Sequence, residues 1–386
     1  MTTINGRAAV LADYNEPFVT REFPVPTPEP GGIVVKIDVA TVCGSDVHVW
    51  LGHLKDTTPI TPPLILGHEM VGIVETLGDG AEFDSLGERI EVGDRIVWAH
   101  TPCGQCRECT IERQPQLCSK RYIAYLNDCS KPPYFTGSFA EYNYVVPRAG
   151  RLRVPDGVQS RWAAAGSCAL RTVIKGAEVA GPIDFTDSIV IQGAGPLGLF
   201  ATALLSTHNP RQLVVVGGPE DRLALAREWG ATHTVSIADY PTATDRIERV
   251  QEITGGGADL AFEYAGAPGA VAEGIELVRR NGRYIVMGTL GGAPQSVDVA
   301  KIAHRGIRIT GSMSGEIGNY RTALEFLDRF SERFDWDRMF GASYGLDDLA
   351  EAMDAMVSMR EIKPVIVPGI RSSEPQQSAT ASTSAH

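Results

Sequence analysis

The chain has 386 residues, 43% hydrophobic and 21% charged, with a formal net charge of −12. That is a globular composition on a length that favours two domains. It excludes several classes at once. No run approaches the ~20 apolar residues of a membrane span, and no Lys/Arg-rich block invites a phosphate backbone. The opening Met1–Arg7 lacks the basic-then-apolar pattern of a signal peptide. The expectation is a cytoplasmic protein with neither nucleic acid nor membrane as partner.

Along the chain, the first part is dense in short β patterns. Ile33–Ala40, Val71–Thr76 and Arg95–Ala99 are apolar, β-branched runs bounded by Gly, Pro or Asp. The Pro- and Gly-rich stretch Pro24–Gly32 reads as a loop. A mostly antiparallel, barrel-like domain is expected up to about Pro155.

The rhythm then changes. Ser188–Gln192, Leu213–Val216, Leu260–Glu263, Arg283–Met287 and Ile307–Gly311 read as buried strands. Helical patterns at Leu197–Ser206, Asp221–Trp229, Thr244–Ile253 and Ala270–Val278 separate the earlier ones. This alternation predicts an α/β unit with a doubly wound parallel sheet. Tyr320–Phe330 reads as a further helix and Lys363–Val367 as a last strand returning to the first domain. From Arg371 the chain is rich in Ser, Thr and Gln and reads as a disordered tail over 371–386.

Gly193-Ala194-Gly195-Pro196-Leu197-Gly198 follows a predicted strand and opens a helix. In that context G-x-G-x-x-G is a dinucleotide fingerprint. Gly193 permits the tight turn, Gly195 lets a pyrophosphate approach the backbone, and Gly198 allows close helix–strand packing. Pro196 and Leu197 start a helix whose free N–H groups suit phosphate. Gly217 stands where an acidic residue usually holds the ribose 2′-hydroxyl, which leaves NADP open. Glu220 and Asp221 would repel a 2′-phosphate, although Arg222 could favour one. The balance is toward NAD.

Seven cysteines without a secretion signal argue for metal rather than disulfides. Cys103, Cys106, Cys109 and Cys118 lie on one short segment. Four such thiolates can converge on Zn²⁺ at about 2.3 Å and leave no open position, as a structural site does; an iron–sulfur cluster uses the same ligands. A second, scattered set is Cys43, His68-Glu69 and Cys168. Three protein ligands and one open position are what a catalytic zinc needs.

Cys43-Gly44-Ser45-Asp46-Val47-His48, Gly67-His68-Glu69, the four-cysteine lobe and the glycine motif occur together and in order. In this the chain resembles the zinc-dependent alcohol dehydrogenases of the medium-chain dehydrogenase/reductase superfamily, over essentially Gly6–Pro368. The resemblance implies a GroES-like β-rich catalytic domain over 1–168, completed by 315–370, and a Rossmann domain over 169–314. It implies catalytic zinc on Cys43, His68 and Cys168 with Glu69 nearby, and Asp46 holding the His68 ring. Ser45 would take the substrate hydroxyl proton and pass it through the cofactor ribose to His48. Thr172 would pack on the nicotinamide, and Lys363 would reach the pyrophosphate. A homodimer or homotetramer is also implied. Cys118 comes one residue later than the family's commonest spacing, and Cys168 stands where many polyol and threonine dehydrogenases carry Glu.

Two other readings compete. A zinc-free quinone or enone reductase of the same superfamily keeps the Rossmann half, but Cys43, His68 and Cys168 argue against it. A non-catalytic protein that holds zinc and nucleotide is opposed by Ser45 and His48. For substrate, Trp50, Leu51 and the loop Ala124–Thr136 are candidates to line an apolar pocket. No paired cations stand out in the sequence as a clamp for an acid, so a neutral secondary or cyclic alcohol is expected. Cys129, within that loop, has no zinc role.

Overall fold

The computed structural model describes residues 4–55, 60–288 and 294–371. In the first part, strands β1 (Asn5–Leu11), β2 (Val19–Pro24) and β3 (Ile33–Thr41) precede helix α1 (Gly44–Trp50). Strands β4 (Leu64–Ile65), β5 (Met70–Leu77) and β6 (Arg95–Trp98) follow, then helix α2 (Arg107–Thr110), β7 (Tyr142–Val145) and β8 (Arg151–Arg153). The predicted runs at Ile33, Val71 and Arg95 are β3, β5 and β6.

A long helix then leads into the second half. It comprises α3 (Ser160–Ala165), a π turn over Gly166–Leu170, and α4 (Arg171–Ala180). It runs unbroken through 168/169, the boundary expected from the resemblance, and the π turn carries Cys168. Such a turn widens a helix locally and often marks a functional site.

The second half alternates strand and helix: β9 (Ser188–Gln192), α5 (Pro196–Ser206), β10 (Gln212–Gly217), α6 (Glu220–Glu228), β11 (His233–Ser236), α7 (Ala243–Thr254) and β12 (Ala258–Glu263). Helix α8 (Ala270–Leu277), β13 (Val278–Val286), α9 (Val299–Arg305) and β14 (Arg308–Gly311) complete it. Helix α10 (Ile317–Arg329), β15 (Phe340–Tyr344), α11 (Leu349–Val357) and β16 (Lys363–Ile366) close the described chain.

The strands form three sheets among the described residues. One is small, in the order β2-β1-β4. A larger sheet runs β15-β16-β3-β5-β6-β8, with β7 also paired to β3. The last is fully parallel, in the order β11-β10-β9-β12-β13-β14. Its six strands exceed the five expected. The extra strand is β11, whose sequence His-Thr-Val-Ser buries only Val235 and gives no apolar run to read. It exists because β10 supplies a template at the edge of the sheet.

Strand β16 pairs antiparallel with β3 at Val365–Thr41 and Ile366–Ala40. The chain end therefore rejoins the first sheet beside Cys43, as the sequence predicts. Cores form on both faces of the parallel sheet and within the first sheet's barrel. The disordered-tail expectation for 371–386 falls outside the described residues, except for Arg371, which pairs with Glu141. No described helix is long and apolar enough to cross a membrane.

Candidate metal and cofactor site

The turn from β3 into α1 is held by one fully buried carboxylate. Cys43 is the helix N-cap, and its N–H donates to Asp46 Oδ2 at 3.0 Å. Asp46 Oδ1 accepts the Gly67 N–H at 3.2 Å and lies 3.1 Å from His68 Nδ1. One side chain thus fixes the α1 N-terminus, the loop before β5, and the His68 ring. With Nδ1 engaged, the ring offers Nε2 as its coordinating atom. That atom lies 3.2 Å from Ser45 Oγ, which in turn donates to Cys43 Sγ at 3.3 Å.

The π turn brings Cys168 to the same point. Ligand atoms of Cys43, His68, Glu69 and Cys168 all lie within 4.8 Å of one another. The hydrogen bond from Cys168 holds the Cys43 thiol well below its ordinary value, which favours thiolate. Glu69 is fully buried and ion-paired with Lys363, whose Nζ also donates to the Val42 carbonyl at 3.0 Å. Burial pushes Glu69 up to about 8 against the pull of Lys363. Its Oε1 has no partner among the described residues. A buried, unpaired acceptor beside two thiols and an imidazole is a donor set that fits zinc.

The second cysteine set also converges. Cys106 Sγ is 3.3 Å from Cys109 Sγ and 3.7 Å from Cys118 Sγ, and the Cys103 N–H donates to Cys118 Sγ at 3.4 Å. No disulfide links these cysteines; all seven in the chain are free. The Gln105 N–H draws the Cys103 thiol down to about 6. Four thiols with all ligand atoms within 4.8 Å of one another suit a closed tetrahedral site.

His48 lies in the last turn of α1, half-buried, and its Nδ1 is 3.0 Å from Nδ1 of the exposed His53. Trp50 leaves the expected pocket role for a structural one: its Nε1 donates to the Glu16 carbonyl and its ring packs near Phe18. Leu51 packs against the barrel core. The Ala124–Thr136 loop divides. Tyr125 stacks on the His68 ring with centroids 4.6 Å apart, whereas Cys129 and Phe135 enter a separate small core under β1. Sequence reasoning missed Tyr125, His100 and Arg171. Arg171 Nη2 lies 3.8 Å from Cys168 Sγ, and the His100 ring is 6.4 Å from that of His68. Long-range folding brings Tyr125 and His100 to the metal ligands, whereas Arg171 reaches Cys168 from three residues along the same helix.

At the glycine motif, Gly193 has φ +106°, and a Cβ on Gly198 would lie 1.8 Å from the Gly193 carbonyl oxygen. A Cβ on Gly195, the N-cap of α5, would meet nothing within 4 Å. Gly193 and Gly198 are therefore needed by the fold, and Gly195 leaves space over a helix N-terminus. Pro196 and Leu197 form the first turn there. Gly217 packs on Ala194, where a Cβ would lie 2.8 Å from the Ala194 nitrogen, so no acidic side chain fits. Thr172 is in the first turn of α4, half-buried.

Two expectations are corrected here. Arg222 is buried, and its Nη2 donates to the carbonyls of Met359 and Glu361 at 3.2 and 2.9 Å, which turns it from a cofactor phosphate. Lys363 is committed to Glu69 and Val42 rather than to a pyrophosphate. In both cases burial makes an internal acceptor the better partner.

Comparison with known proteins identifies the family. A family model described as the alcohol dehydrogenase GroES-like domain matches residues 29–156, and one described as zinc-binding dehydrogenase matches residues 196–329. The 5-exo-hydroxycamphor dehydrogenase of Pseudomonas putida is 32% identical over 363 residues, covering 93% of this chain and 98% of that protein. An alcohol dehydrogenase structure from Thermotoga maritima superposes with TM-score 0.86 at 29% identity, covering 94% of this chain and 99% of that one. A zinc-binding dehydrogenase from Sinorhizobium meliloti, bound to NADP, superposes with TM-score 0.80 at 26% identity, covering 95% and 100%. This chain belongs to the zinc-dependent alcohol dehydrogenases of the medium-chain dehydrogenase/reductase superfamily, and is a nicotinamide-dependent oxidoreductase.

Proposed function

We propose that the protein catalyses reversible hydride transfer between a secondary alcohol, cyclic or open-chain, and NAD. The observation that carries this reading is the position of Ser45 Oγ, 3.2 Å from the coordinating nitrogen of His68 and 3.3 Å from Cys43 Sγ. A hydroxyl there is within reach of a proton on any alcohol that meets the same donors.

Cys43, His68 and Cys168 would hold the catalytic zinc, with Glu69 alongside, and bound zinc supplies the Lewis acidity that alcohol–carbonyl interconversion needs. Asp46 keeps the His68 ring in one tautomer and orientation. Ser45 is placed to accept the substrate hydroxyl proton, and His48, half-buried on the same helix, would serve as the base that releases it to solvent. Tyr125 covers one face of His68 and keeps water from it. The open N-terminus of α5 at Gly195 would receive the pyrophosphate, and Thr172, in the first turn of α4, would pack on the nicotinamide. Cys103, Cys106, Cys109 and Cys118 would hold a second, structural zinc.

The preference for NAD rests on the turn after β10. Arg222 is spent on carbonyls and Arg227 on Glu220, so neither stands ready for a 2′-phosphate. The domain division is kept as 1–168 with 315–370, and 169–314; the two family matches fall on either side of residue 168, and the second continues past 314 to residue 329. A homo-oligomer is supported by β14, an edge strand with all four residues exposed and with Met313 close behind it at 47% exposure. Seven free cysteines favour the reducing cytoplasm.

The test is an initial-rate screen of zinc-loaded protein with NAD⁺ and NADP⁺ against primary, secondary, cyclic and polyol alcohols. Turnover confined to secondary alcohols with NAD⁺ is the expected result. Reduction of enones without alcohol turnover, in metal-free protein, would overturn it.

A further inference from the structure

Beside the His68–Tyr125 stack opens a solvent-accessible cleft of about 170 Å³, lined by His100, Gln116, Arg121, Arg148, Glu316 and Tyr320 among others. It adjoins the reaction site on two sides. His100 reaches toward His68, and Tyr320 lies under the Arg171 guanidinium, 5.1 Å from ring centroid to Cζ, while Arg171 itself touches Cys168.

The charges around this cleft do not balance. Arg171 is buried, and its donors go to the Ser167 and Gly315 carbonyls, the Ser314 hydroxyl and Cys168 Sγ, with no carboxylate among them. Arg121 is half-buried, and its guanidinium has no hydrogen-bond or ion-pair partner among the described residues. The groups that act on its charge are Arg171, Tyr320, Tyr125 and Cys118, so a like charge is the strongest of them. Arg148 donates to the Cys103 carbonyl. The single carboxylate lining the cleft, Glu316, caps α10 by accepting the Gly318 N–H at 2.9 Å. Cys118 of the cysteine lobe is near enough to act on the Arg121 charge, but no sulfur accepts a hydrogen bond from Arg121.

A half-buried guanidinium with no acceptor among the described residues keeps its donors free for a ligand, and its planar fork fits a carboxylate with two parallel hydrogen bonds. We propose that Arg121 is the recognition group for a carboxylate carried by the substrate, so that the alcohol oxidised here is a hydroxy acid. The hydroxyl lies at the Cys43–His68–Cys168 cluster, and the acid end lies across His100 in the cleft. Neutral His100, kept uncharged by burial and by Arg121, forms the polar floor between them. This deepens the proposed function and rests on it. It also replaces the neutral substrate expected from the sequence, in which Arg121 and Arg171 are too far apart to be read as a pair.

The experiment uses zinc-loaded protein with NAD⁺ and chain-matched pairs of hydroxy acids and neutral alkan-2-ols. The expected result is a kcat/KM preference for one hydroxy acid that falls roughly 30-fold or more in Arg121→Gln, relative to its neutral partner, and recovers in part in Arg121→Lys. In parallel, calorimetric titration of the holoenzyme with butanoate should show binding that Arg121→Gln abolishes. Butanoate binding reads the site without turnover, so it decides the proposal even if no alcohol is oxidised. Turnover of neutral alcohols with no acid preference, or butanoate binding unchanged in Arg121→Gln, overturns the carboxylate site and leaves the dehydrogenase reading intact. Silence toward every alcohol, with butanoate bound through Arg121, overturns that reading instead.

Discussion

His48 and His53 face each other through their Nδ1 atoms at 3.0 Å. Two Nδ1 atoms share one hydrogen bond only if one ring donates and the other accepts, so protonation of both is disfavoured. Burial, and then His53, hold His48 below the ordinary imidazole value, against a smaller opposing pull from Cys43. The base form of His48 is the neutral ring, so a lowered pKa keeps it available to lower pH. The acid limb of alcohol oxidation should therefore lie below the ~6.5 of free imidazole. His53→Ala removes one of the two lowering causes and should move that limb upward. A limb that stays put in this variant would take His48 out of the proton path.

Asp46 makes three contacts at once, to Cys43 N, Gly67 N and His68 Nδ1. Asp46→Ala leaves two backbone donors and an imidazole without their acceptor in a buried site. Metal affinity at the Cys43–His68–Cys168 cluster should drop about 10- to 100-fold, as it does when a ligand's orienting partner is lost. Competition with a chelator measures this directly. Affinity equal to wild type would show that His68 is oriented by something else.

Much of this site was legible because its residues sit in short, ordered strings. Cys43 to His48, Gly67 to Glu69, and the lobe from Cys103 to Cys118 each carry their own spacing, and the structure brings their ligand atoms together. The strands with strong apolar runs, such as Ile33–Thr41 and Ser188–Gln192, were equally readable. What escaped depends on distance along the chain. Tyr125 looks like a loop residue until the fold stacks it on His68, and Arg121 like a surface residue until the fold sets it in a cleft near Arg171. Arg171 itself is only three residues from Cys168, and nothing in the sequence marks its side chain as buried there. Arg222 and Lys363 erred the other way. Each looked like a phosphate ligand, and each is captured by an acceptor 137 or more residues away: Met359 for Arg222, and Glu69 for Lys363.

The cysteine lobe makes a different prediction. Cys106 caps α2 and has Sγ contacts to both Cys109 and Cys118. Cys106→Ser should remove one metal ion per chain and lower the thermal unfolding midpoint, because the lobe's regular structure is limited to the four residues of α2 and a 3-10 turn over Pro115–Leu117. Metal analysis and calorimetry on the same sample check both. Full metal content with an unchanged midpoint would count against a structural ion.

The Glu69–Lys363 pair ties the end of the chain to the loop before β5, with Glu69 and Lys363 0% and 1% exposed. Lys363→Met leaves Glu69 buried without its counter-charge. The loss should be at most about 3–5 kcal/mol in denaturant unfolding, and should shrink as pH falls through about 8, because Glu69 then takes up a proton. The double variant Glu69→Gln with Lys363→Met should recover part of it, since no unpaired charge is then buried. Equal losses in single and double variants would mean that packing, not charge, sets the cost.

Gly195 and Gly198 separate folding from cofactor binding. A Cβ at 198 collides with the Gly193 carbonyl, whereas one at 195 meets open space, and Gly195 has φ −79°, which any residue adopts. Gly195→Ala should therefore fold with stability within about 0.5 kcal/mol of wild type. The added methyl would stand where a pyrophosphate must approach the α5 N-terminus, so the NAD⁺ dissociation constant should rise roughly tenfold or more. Gly198→Ala should instead lose stability and cofactor affinity together. Fluorescence titration with NADH alongside thermal unfolding distinguishes the two variants. If Gly195→Ala bound NADH as tightly as wild type, the pyrophosphate would have to lie elsewhere than over this turn.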